Sequence, residues 1–464
     1  MLIALLLRLL LFFKGAPWET QAQSVYLKAD PGGYHQLALN LLRTGRYAFM
    51  PDPIPEQVAK SMADPKLWRL PGEPEALWPP LYTLFIAGIY SRTGVQIAAV
   101  LLTQILLSLL VALLVYWVSL QLFKRESLAL LAALLFAIEP TMILLPNTMY
   151  SDFIFILFLS ILYFVFVRNI ILMSSGTVSR WILWSWITGV VLGLACLTHV
   201  RGVIFFPIIL LVILVTMRSV SLRWRFFSMA MVATGYLMST GYWYWRNYRI
   251  FGEWAFSTAS SYNLLIGASM VAPVEKREES IEWVFRQARL RMEEQGDPFK
   301  MNPFTRARIW RRTALDLIRE HPTEYLKAHL KRMITVAFVP GTSEYEAILT
   351  KASQTEQFKL KEGRLPRMGA LRWILFVWVV LWTLFLYSMG IWGVLTRGKE
   401  VMPITWFVLI TCAVLWLTSI SNTHPRMRAP ILLLLLPYSG AGLGCMRERV
   451  STLFSKQSDS LGSS

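Results

Sequence analysis

The stretch QIAAVLLTQILLSLLVALLVYWVS, Gln96 to Ser119, contains no charged side chain. An α-helix needs about 20 mostly apolar residues to cross the roughly 30 Å hydrocarbon core of a bilayer. Similar stretches recur along the 464-residue chain, which is 55% hydrophobic and 16% charged, with a mean hydropathy of +0.48. Soluble domains carry about 25% charged residues. The composition therefore excludes an ordinary soluble domain and predicts an integral membrane protein.

Apolar stretches of this kind predict an all-α polytopic membrane protein with about ten transmembrane helices. The candidate spans are residues 1–14, 96–119, 128–145, 152–167, 182–198, 203–217, 227–245, 371–395, 402–419 and 430–446. No A-x-A-like cleavage site follows the first span, which is typical of a retained signal anchor. Arg8 within it is expected to snorkel toward the cytoplasm.

Basic residues in short connections predict the orientation of these spans. The connecting residues that would share one side are Lys124, Arg125, Arg168, Arg180, Arg218, Arg223, Arg225, Arg397, Lys399, Arg447, Arg449 and Lys456. The positive-inside rule makes that side cytoplasmic, and an even number of spans then leaves both termini there. The predicted organisation is a transmembrane module at 1–245 with a first outer loop at 15–95, an outer-face helical loop at 246–370, C-terminal transmembrane helices at 371–446 and a cytoplasmic tail at 447–464.

Three other features have ordinary explanations in a membrane protein. The formal net charge of +18 fits the positive-inside bias and contact with anionic lipids, so we predict no nucleic-acid partner. Cys196, Cys412 and Cys445 lie in separate predicted spans, which favours small core residues over a disulfide or metal site. Gly189 and Gly193 form a G-x-x-x-G pattern that predicts close packing of two helices.

The sequence KADPGGYHQLALNLLRTGRYAF, Lys28 to Phe49, predicts an amphipathic helix on the outer membrane surface. The apolar residues spaced along one face are Tyr34, Leu37, Ala38, Leu41 and Leu42. Asp30 and Pro31 suit the start of that helix. Asp30 is thus either an N-cap or a catalytic acid, and these residues alone leave both possibilities open. A second interfacial helix is predicted within Trp78–Gly94.

Other polar residues lie at the outer ends of predicted spans. Asp152 begins the fourth span, where an acid is again compatible with capping. The basic residues at the same face are His199, Arg201, Arg246, His424, Arg426 and Arg428. If the spans bundle together, these residues surround two carboxylates with cations. Arg binds phosphate through paired N–H donors, so the cluster suits an anionic lipid head group.

Five motifs occur in order along the chain: DPGGYHQLALNLLRTGRYAF, PPLYTLFIAGIYSRTGVQIAAVLLTQILLS, YWRNYRIFGEWAFSTASSYNLLIGA, ALDLIREHPTEYLKAHLKRMITVAF and HPRMRAPILLLLLP. Together they resemble motifs of the GT-C superfamily of polytopic glycosyltransferases, which includes protein O-mannosyltransferases, the lipid A aminoarabinose transferase and enzymes like the rhizobial galacturonosyltransferases. The resemblance implies that Asp30 matches the catalytic acid of the first outer loop. Pro31 stands where many relatives carry a second acid, and Asp152 stands where a Glu is common.

The resemblance implies a glycosyltransferase that moves a sugar from a polyprenyl phosphate to a lipid, glycan or protein acceptor at the outer face, by an inverting single displacement. Asp30 is the expected base, and Asp152 is expected to position substrate, assist or hold a divalent cation, although no cofactor is predicted to be required. The residues expected at the donor phosphate are His199, Arg201, Arg246, Arg426 and Arg428. Those expected at the sugar or acceptor are Tyr34, Trp78, Tyr82 and Asn247, with Trp245 a further aromatic.

Two other functional classes remain as alternatives. A secondary transporter or lipid flippase is the main one, but the sequence shows no repeated halves and its ionisable residues gather at one interface. A membrane acyltransferase would need a histidine-centred arrangement, which five scattered histidines do not provide. The expected location is a bacterial inner membrane, with the active site at the periplasmic face.

Overall fold

The computed structural model describes residues 1–19, 25–27, 30–49, 72–174, 178–274, 277–339, 341–351, 369–419 and 424–461. Throughout these residues the regular structure is helical, and the only β-type pairing among them is one bridge between Ala48 and Pro74. The predicted all-α polytopic class is therefore confirmed. Parts of the predicted outer segments and turns lie outside the described residues, namely 20–24, 28–29, 50–71, 275–276, 340, 352–368 and 420–423.

In chain order, the helices are α1 (Leu2–Gly15), α2 (Asp30–Thr44), α3 (Leu81–Thr93), α4 (Ile97–Phe123), α5 (Glu126–Ile138), α6 (Pro140–Leu144), α7 (Asp152–Ser174), α8 (Val178–Thr198), α9 (Phe205–Thr216), α10 (Leu222–Phe251), α11 (Ala259–Ala268), α12 (Arg277–Glu293), α13 (Pro303–Glu320), α14 (Pro322–Phe338), α15 (Thr342–Thr350), α16 (Gly369–Arg397), α17 (Met402–Leu417) and α18 (Ala429–Leu461).

Length and composition identify which helical stretches can cross a bilayer. Within the described chain the five qualifying stretches are Ile97–Phe123, Asp152–Ser174, Arg180–Thr198, Trp373–Leu417 and Ala429–Thr452. A sixth is added if α5 and residues 140–147, which meet at 62°, form one broken span, and Val200–Thr216 is a shorter apolar helix. The ten predicted stretches all fall in helical regions, while the number of crossings stays a prediction.

The stretch Trp373–Leu417 reverses direction at the short 3-10 turn Gly398–Val401. Successive residues of α16 contact later and later residues of α18, whereas successive residues of α17 contact earlier ones. The contact pairs are Leu386–Ser439 and Arg397–Cys445 for α16, and Thr405–Tyr438 and Cys412–Ile431 for α17. Helices α16 and α17 therefore run in opposite directions along α18.

Small residues allow a close helix contact between α8 and α10. A Cβ atom on Gly189 would lie 2.0 Å from the carbonyl oxygen of Val232, and one on Gly235 would lie 2.2 Å from that of Trp186. Only glycine leaves room for the two backbones at this distance. The close packing predicted from the G-x-x-x-G pattern is confirmed.

The two ends of the bundle carry different residues. At one end Arg125 of the α4–α5 connection lies 2.6 Å from Glu448, and Arg397 lies 3.8 Å from the same carboxylate. Both arginines belong to the connections predicted to share the cytoplasmic side. The opposite end carries α2 and α3, and the assignment of the two ends to the two sides of the membrane stays a prediction.

Helices α2 and α3 form at the positions predicted for interfacial helices. Helix α2 buries Tyr34, Leu37 and Ala38 on one face, as the apolar spacing predicts. Helix α3 follows Pro80 and ends at Gly94, whose φ of 75° favours glycine. The two helices therefore lie where they can position residues at that end of the bundle.

The predicted outer-face segment is also helical where the structure describes it. Helices α11, α12 and α13 enclose a hydrophobic core of their own, separate from that of the bundle, with Tyr262, Phe285 and Trp310 among its largest members. Arg306 of α13 binds Glu73, which ties this small core to the first outer loop.

Arg8 does not snorkel, so that prediction is wrong. Its side chain is fully buried and donates to the carbonyl oxygens of Ala4 at 2.8 Å and Ala137 at 3.1 Å. The guanidinium also lies over the Phe136 ring, 5.1 Å from its centroid. Helix α1 itself and helix α5 each supply one carbonyl oxygen to Nη1, and α5 also supplies the aromatic face, so the guanidinium is accommodated inside the bundle.

Candidate active site

Two acids and two arginines meet where α2, α7 and two short turns converge. Arg426 donates through Nη2 to Oδ2 of Asp30 at 3.0 Å and through Nη1 to Oδ2 of Asp152 at 3.3 Å. Arg201 binds the other carboxylate oxygen of Asp152. One guanidinium therefore bridges the two acids, although Asp30 and Arg426 are 396 residues apart in sequence.

Each of these side chains comes from a connection at the same end of the bundle. Asp152 is the first residue of α7, Arg201 lies in the 3-10 turn Val200–Ile204, and Arg426 lies in the 3-10 turn Pro425–Met427. The first turn folds back tightly on α8, because a Cβ atom on Gly202 would meet the backbone of Cys196 at 2.8 Å. Glycine is thus required beside Arg201 for steric reasons.

Asp152 is the most enclosed member of the cluster, with 2% of its side chain exposed. A buried carboxylate is costly unless cations and hydrogen bonds compensate it. Both of its oxygen atoms bind guanidinium groups, one on Arg201 and one on Arg426. A helix cap would accept hydrogen bonds from the first backbone N–H groups of α7. The carboxylate of Asp152 instead binds side chains from two other connections, so it does more than cap the helix.

The cluster borders a cavity of about 130 Å³. Its lining residues are Asp30, Tyr34, Leu77, Trp78, Pro79, Ser151, His199, Val200, Arg201, Ala259, Tyr262, Asn263, Thr418, Ser419, Arg426 and Met427. They come from the first outer loop, the bundle turns and α11. The small outer helical core therefore forms one wall of the site.

Tyr34 and Trp78, both predicted to bind the sugar or acceptor, are brought to this cavity. Their rings pack with centroids 5.1 Å apart. The Tyr34 hydroxyl lies 3.0 Å from Oγ of Ser151. Burial and the nearby Asp30 carboxylate raise the pKa of Tyr34, so its hydroxyl stays protonated. The wall beside Asp30 thus combines aromatic surface with a neutral hydroxyl pair.

His199 also lines the cavity and is held as a neutral ring. Its Nδ1 accepts a hydrogen bond from the backbone N–H of Arg201 at 3.2 Å. Burial, together with the neighbouring Arg201 cation, lowers the pKa of His199 to about 3. Since Nδ1 accepts, the neutral ring carries its proton on Nε2, where it can donate to a ligand.

Two other residues predicted at the sugar or acceptor do not reach the cavity. Tyr82 is fully buried beneath Tyr34 and donates to Oε1 of Gln104 at 3.2 Å. Asn247 is likewise buried and donates to the carbonyl oxygen of Ala255 at 2.8 Å. Both side chains support neighbouring structure in this conformation. Trp245, the further aromatic, packs against Arg249 on the outside of α10.

Arg246 and Arg428, predicted at the donor phosphate, are directed elsewhere. Arg246 donates to the carbonyl oxygen of Glu75 at 2.6 Å and packs over the Trp243 ring at 4.7 Å. Arg428 is fully buried and binds the carbonyl oxygen of Val339. Both side chains connect outer segments to the bundle, while Arg201 and Arg426 face the cavity.

The sequence did not single out several residues that the fold places at the site. They are Tyr150, Ser151, Tyr262, Asn263, Thr418 and Ser419. Tyr150 lies directly beneath Arg426, whose guanidinium carbon is 4.1 Å from the ring centroid. Because such uncharged residues are common at membrane interfaces, no sequence signal separates these from interfacial anchors.

The acids do not fit a divalent cation in this arrangement. Both oxygen atoms of Asp152 and one of Asp30 face guanidinium groups. Among the residues the structure describes, no group of three or more His, Cys, Asp or Glu side chains is placed to hold a metal. Arginine side chains thus occupy the positions at the two acids where a divalent cation would bind.

Fold and site together define a polytopic helical membrane protein with an acid–arginine cluster in a cavity at one end of its bundle. Residues 78–264, about two fifths of the chain, match the sequence model of the family described as dolichyl-phosphate-mannose-protein mannosyltransferase. This match confirms the predicted resemblance to GT-C glycosyltransferases over these residues. No curated protein matches the chain significantly.

Solved structures resemble the fold over nearly the whole chain. The archaeal oligosaccharyltransferase AglB from Archaeoglobus fulgidus, solved with an inhibitory peptide and a dolichol-phosphate, has a TM-score of 0.47 and 13% identity, with 98% of this chain and 52% of that chain covered. ArnT from Cupriavidus metallidurans, bound to undecaprenyl phosphate, has a TM-score of 0.40 and 14% identity, with 96% and 76% covered. The chain thus spans about half the length of the archaeal protein.

Proposed function

We propose that this protein transfers a sugar from a polyprenyl-phosphate donor to an acceptor nucleophile at the outer face of the membrane. The observation that carries the proposal is the guanidinium of Arg426, which bridges Asp30 and Asp152 beside a cavity lined by aromatic residues. In this proposal Asp30 serves as the base, Arg426 binds the anionic phosphate, and the aromatic residues offer a surface to the sugar, all at one cavity. The match to a mannosyltransferase family supports the same class of reaction.

Asp30 is the proposed general base. It removes the proton from the acceptor hydroxyl as the acceptor oxygen attacks the anomeric carbon, while the bond from that carbon to the phosphate oxygen breaks. The electron pair of the broken bond leaves with the lipid phosphate. A single displacement of this kind inverts the anomeric centre. Trp78 and Tyr34 offer aromatic faces for the sugar at the cavity wall.

Arg426 and Arg201 are proposed to bind the donor phosphate, assisted by Nε2–H of His199. The leaving phosphate gains negative charge in the transition state, so fixed cations there accelerate the reaction more than they strengthen ground-state binding. Asp152 binds both arginines and holds them in place. In this role Asp152 positions the cations and takes no proton.

The expected face is periplasmic, in a bacterial inner membrane with both termini in the cytoplasm. The site lies at the opposite end of the bundle from Arg125 and Arg397, which the positive-inside rule assigns to the cytoplasm. Outside the cytoplasm a donor must arrive on a lipid. The acceptor is a lipid, glycan or protein hydroxyl, or another nucleophile.

The test is transfer of labelled sugar from a panel of polyprenyl-phosphate sugars to a membrane extract, using purified parent protein and Asp30→Asn. We expect transfer by the parent with at least one donor, and its loss in the variant. The control is Asp297→Asn, since Asp297 also caps a turn, with its carboxylate accepting the N–H of Phe299 at 3.0 Å, but lies in the outer segment. Robust transfer by Asp30→Asn would reduce Asp30 to a cap.

One observation favours the transporter alternative. Helices α5 and α6 break at 62° beside the fully buried Glu139, and transporters use broken helices with polar residues inside the membrane. Here, however, Glu139 accepts the N–H of Met142 at 2.7 Å and so caps α6, which accounts for a carboxylate at the break. Failure of transfer with every donor, together with solute uptake or lipid movement by reconstituted protein, would establish the alternative.

A further inference from the structure

Two histidines support the arginines of the site in the same way. His199 and His424 each stand two residues before an arginine, in a 3-10 turn. Nδ1 of His199 accepts the backbone N–H of Arg201, and Nδ1 of His424 accepts that of Arg426, both at 3.2 Å. Each imidazole thus caps the turn that carries its arginine. The two turns reach Asp152 from different connections of the bundle.

The two histidines differ in what lies beyond Nε2. His199 borders the cavity, whereas His424 is not part of the cavity lining. Nε2 of His424 instead lies 2.9 Å from Oε1 of Glu344, near the start of α15. The two atoms are not aligned for a hydrogen bond, but the negative charge so close to this nitrogen electrostatically favours the proton on Nε2, which leaves Nδ1 as the acceptor that the turn needs.

The surroundings of His424 are closely packed. Its ring lies 5.4 Å from the ring of Tyr150, and Arg426 stacks on that same ring at 4.1 Å. A Cβ atom on Gly341, just before α15, would meet Pro425 at 2.7 Å. The start of α15 therefore abuts the turn that carries Arg426 directly.

We propose that His424 and Glu344 are positioning residues for Arg426. Glu344 sets the tautomer of His424, His424 caps the turn, and the turn directs the guanidinium so that it reaches Asp30 at 3.0 Å and Asp152 at 3.3 Å. Neither residue touches the substrate. Displacement of a catalytic group by about 1 Å can cost about 100-fold in rate, so the cap matters to the reaction although it lies outside the cavity. The test of this role by sugar transfer rests on the proposed function, whereas its test by NMR does not.

Substitution of His424 by Asn or by Gln distinguishes a role in capping the turn from a role in packing alone. The side-chain oxygen of Asn can take the place of Nδ1, whereas the longer Gln places its polar end near the Nε2 position. We expect His424→Asn to keep kcat/KM within about threefold of the parent, and His424→Gln to lose about tenfold or more, mostly in kcat. Glu344→Ala should lose about as much as His424→Gln, with Glu344→Gln intermediate because it keeps an oxygen acceptor. Equal activity of the Asn and Gln variants, with equal melting temperatures, would overturn the proposal.

A second measurement is independent of sugar transfer. In ¹⁵N-histidine NMR spectra of the purified protein, the His424 resonances can be assigned by their loss in His424→Asn. We expect an unprotonated Nδ1 and a protonated Nε2 in the parent, and a mixture of tautomers in Glu344→Ala. The opposite tautomer in the parent would refute the cap. Failure of the parent to transfer any sugar would instead defeat the proposed function, while the tautomer would still decide whether Glu344 controls His424.

Discussion

Asp30 and a donor phosphate should compete for Arg426, and Asp30→Asn should therefore bind lipid phosphate more tightly while losing transfer. Arg426 already binds Asp30 at 3.0 Å, and a phosphate that approaches the guanidinium must displace that carboxylate. Displacement also frees the carboxylate to accept a proton from the acceptor. A residue that acts only as a helix cap would affect neither step.

The size of the effect follows from the geometry of the pair. Hydrogen bonds to charged groups contribute about 1.5 to 3 kcal/mol. Side-chain exposures of 11% for Arg426 and 20% for Asp30 leave the pair partly screened, so we take about 1 kcal/mol, which corresponds to about a fivefold change in affinity. Loss of a general base typically costs about 100-fold or more in rate.

The assay is titration of the purified parent, Asp30→Asn and Asp297→Asn with undecaprenyl phosphate at one fixed salt concentration. We expect the dissociation constant of Asp30→Asn to fall about fivefold, with transfer reduced at least about 100-fold. Asp297→Asn removes the same charge without contact to Arg426, so it corrects for net charge. Weaker or unchanged binding by Asp30→Asn, relative to this control, would refute competition for Arg426.

Three further predictions concern stability. Arg201→Gln leaves the buried Asp152 with one guanidinium, so the free energy of unfolding should fall by about 2 kcal/mol. Adding Asp152→Asn to this variant should restore about half of the lost stability. Additive losses in the double variant would contradict the ion pair. His199 has a pKa of about 3 in the folded protein and about 6.5 in the unfolded chain, so acid favours the unfolded state. Between pH 6.5 and about 4.5 the melting temperature of the parent should therefore fall about 3 °C more than that of His199→Asn. Melting temperatures that fall in parallel would contradict this prediction. Gly189→Ala should lower the free energy of unfolding by about 2 kcal/mol in denaturant titrations, because the added Cβ meets the backbone of α10. The control Gly241→Ala, which lies on α10 with open space around it, should be neutral or stabilising. Equal effects of the two substitutions would be evidence against close packing.

The sequence predicts much of the helical framework because its signals are local. Continuous apolar stretches indicate bundle helices, and the spacing of Tyr34, Leu37 and Ala38 indicates α2 with the correct buried face. Motif order along the chain likewise indicated the GT-C superfamily. These features depend on residues that lie within a few turns of each other, so the sequence alone is enough to predict them.

Arginine placement shows where this local information ends. The sequence offered Arg201, Arg246, Arg426 and Arg428 as equivalent cations at span ends, but only two of them face the cavity. Only Met427 separates Arg426 from Arg428, yet one side chain is directed toward Asp30 and the other toward Val339. Nothing in the residue type or spacing alone distinguishes these directions.

The sequence by itself determined the membrane class, the helices and the two acids to examine. Tertiary structure decided which charges meet: Asp30, Asp152 and Arg426 come from three connections far apart in the chain. The physical reason is that helix formation and bilayer partitioning depend on local composition, whereas a charge cluster depends on how separate helices pack and turn. Asp30 can therefore be proposed from its motif, but its partner Arg426 is identified only in the folded bundle.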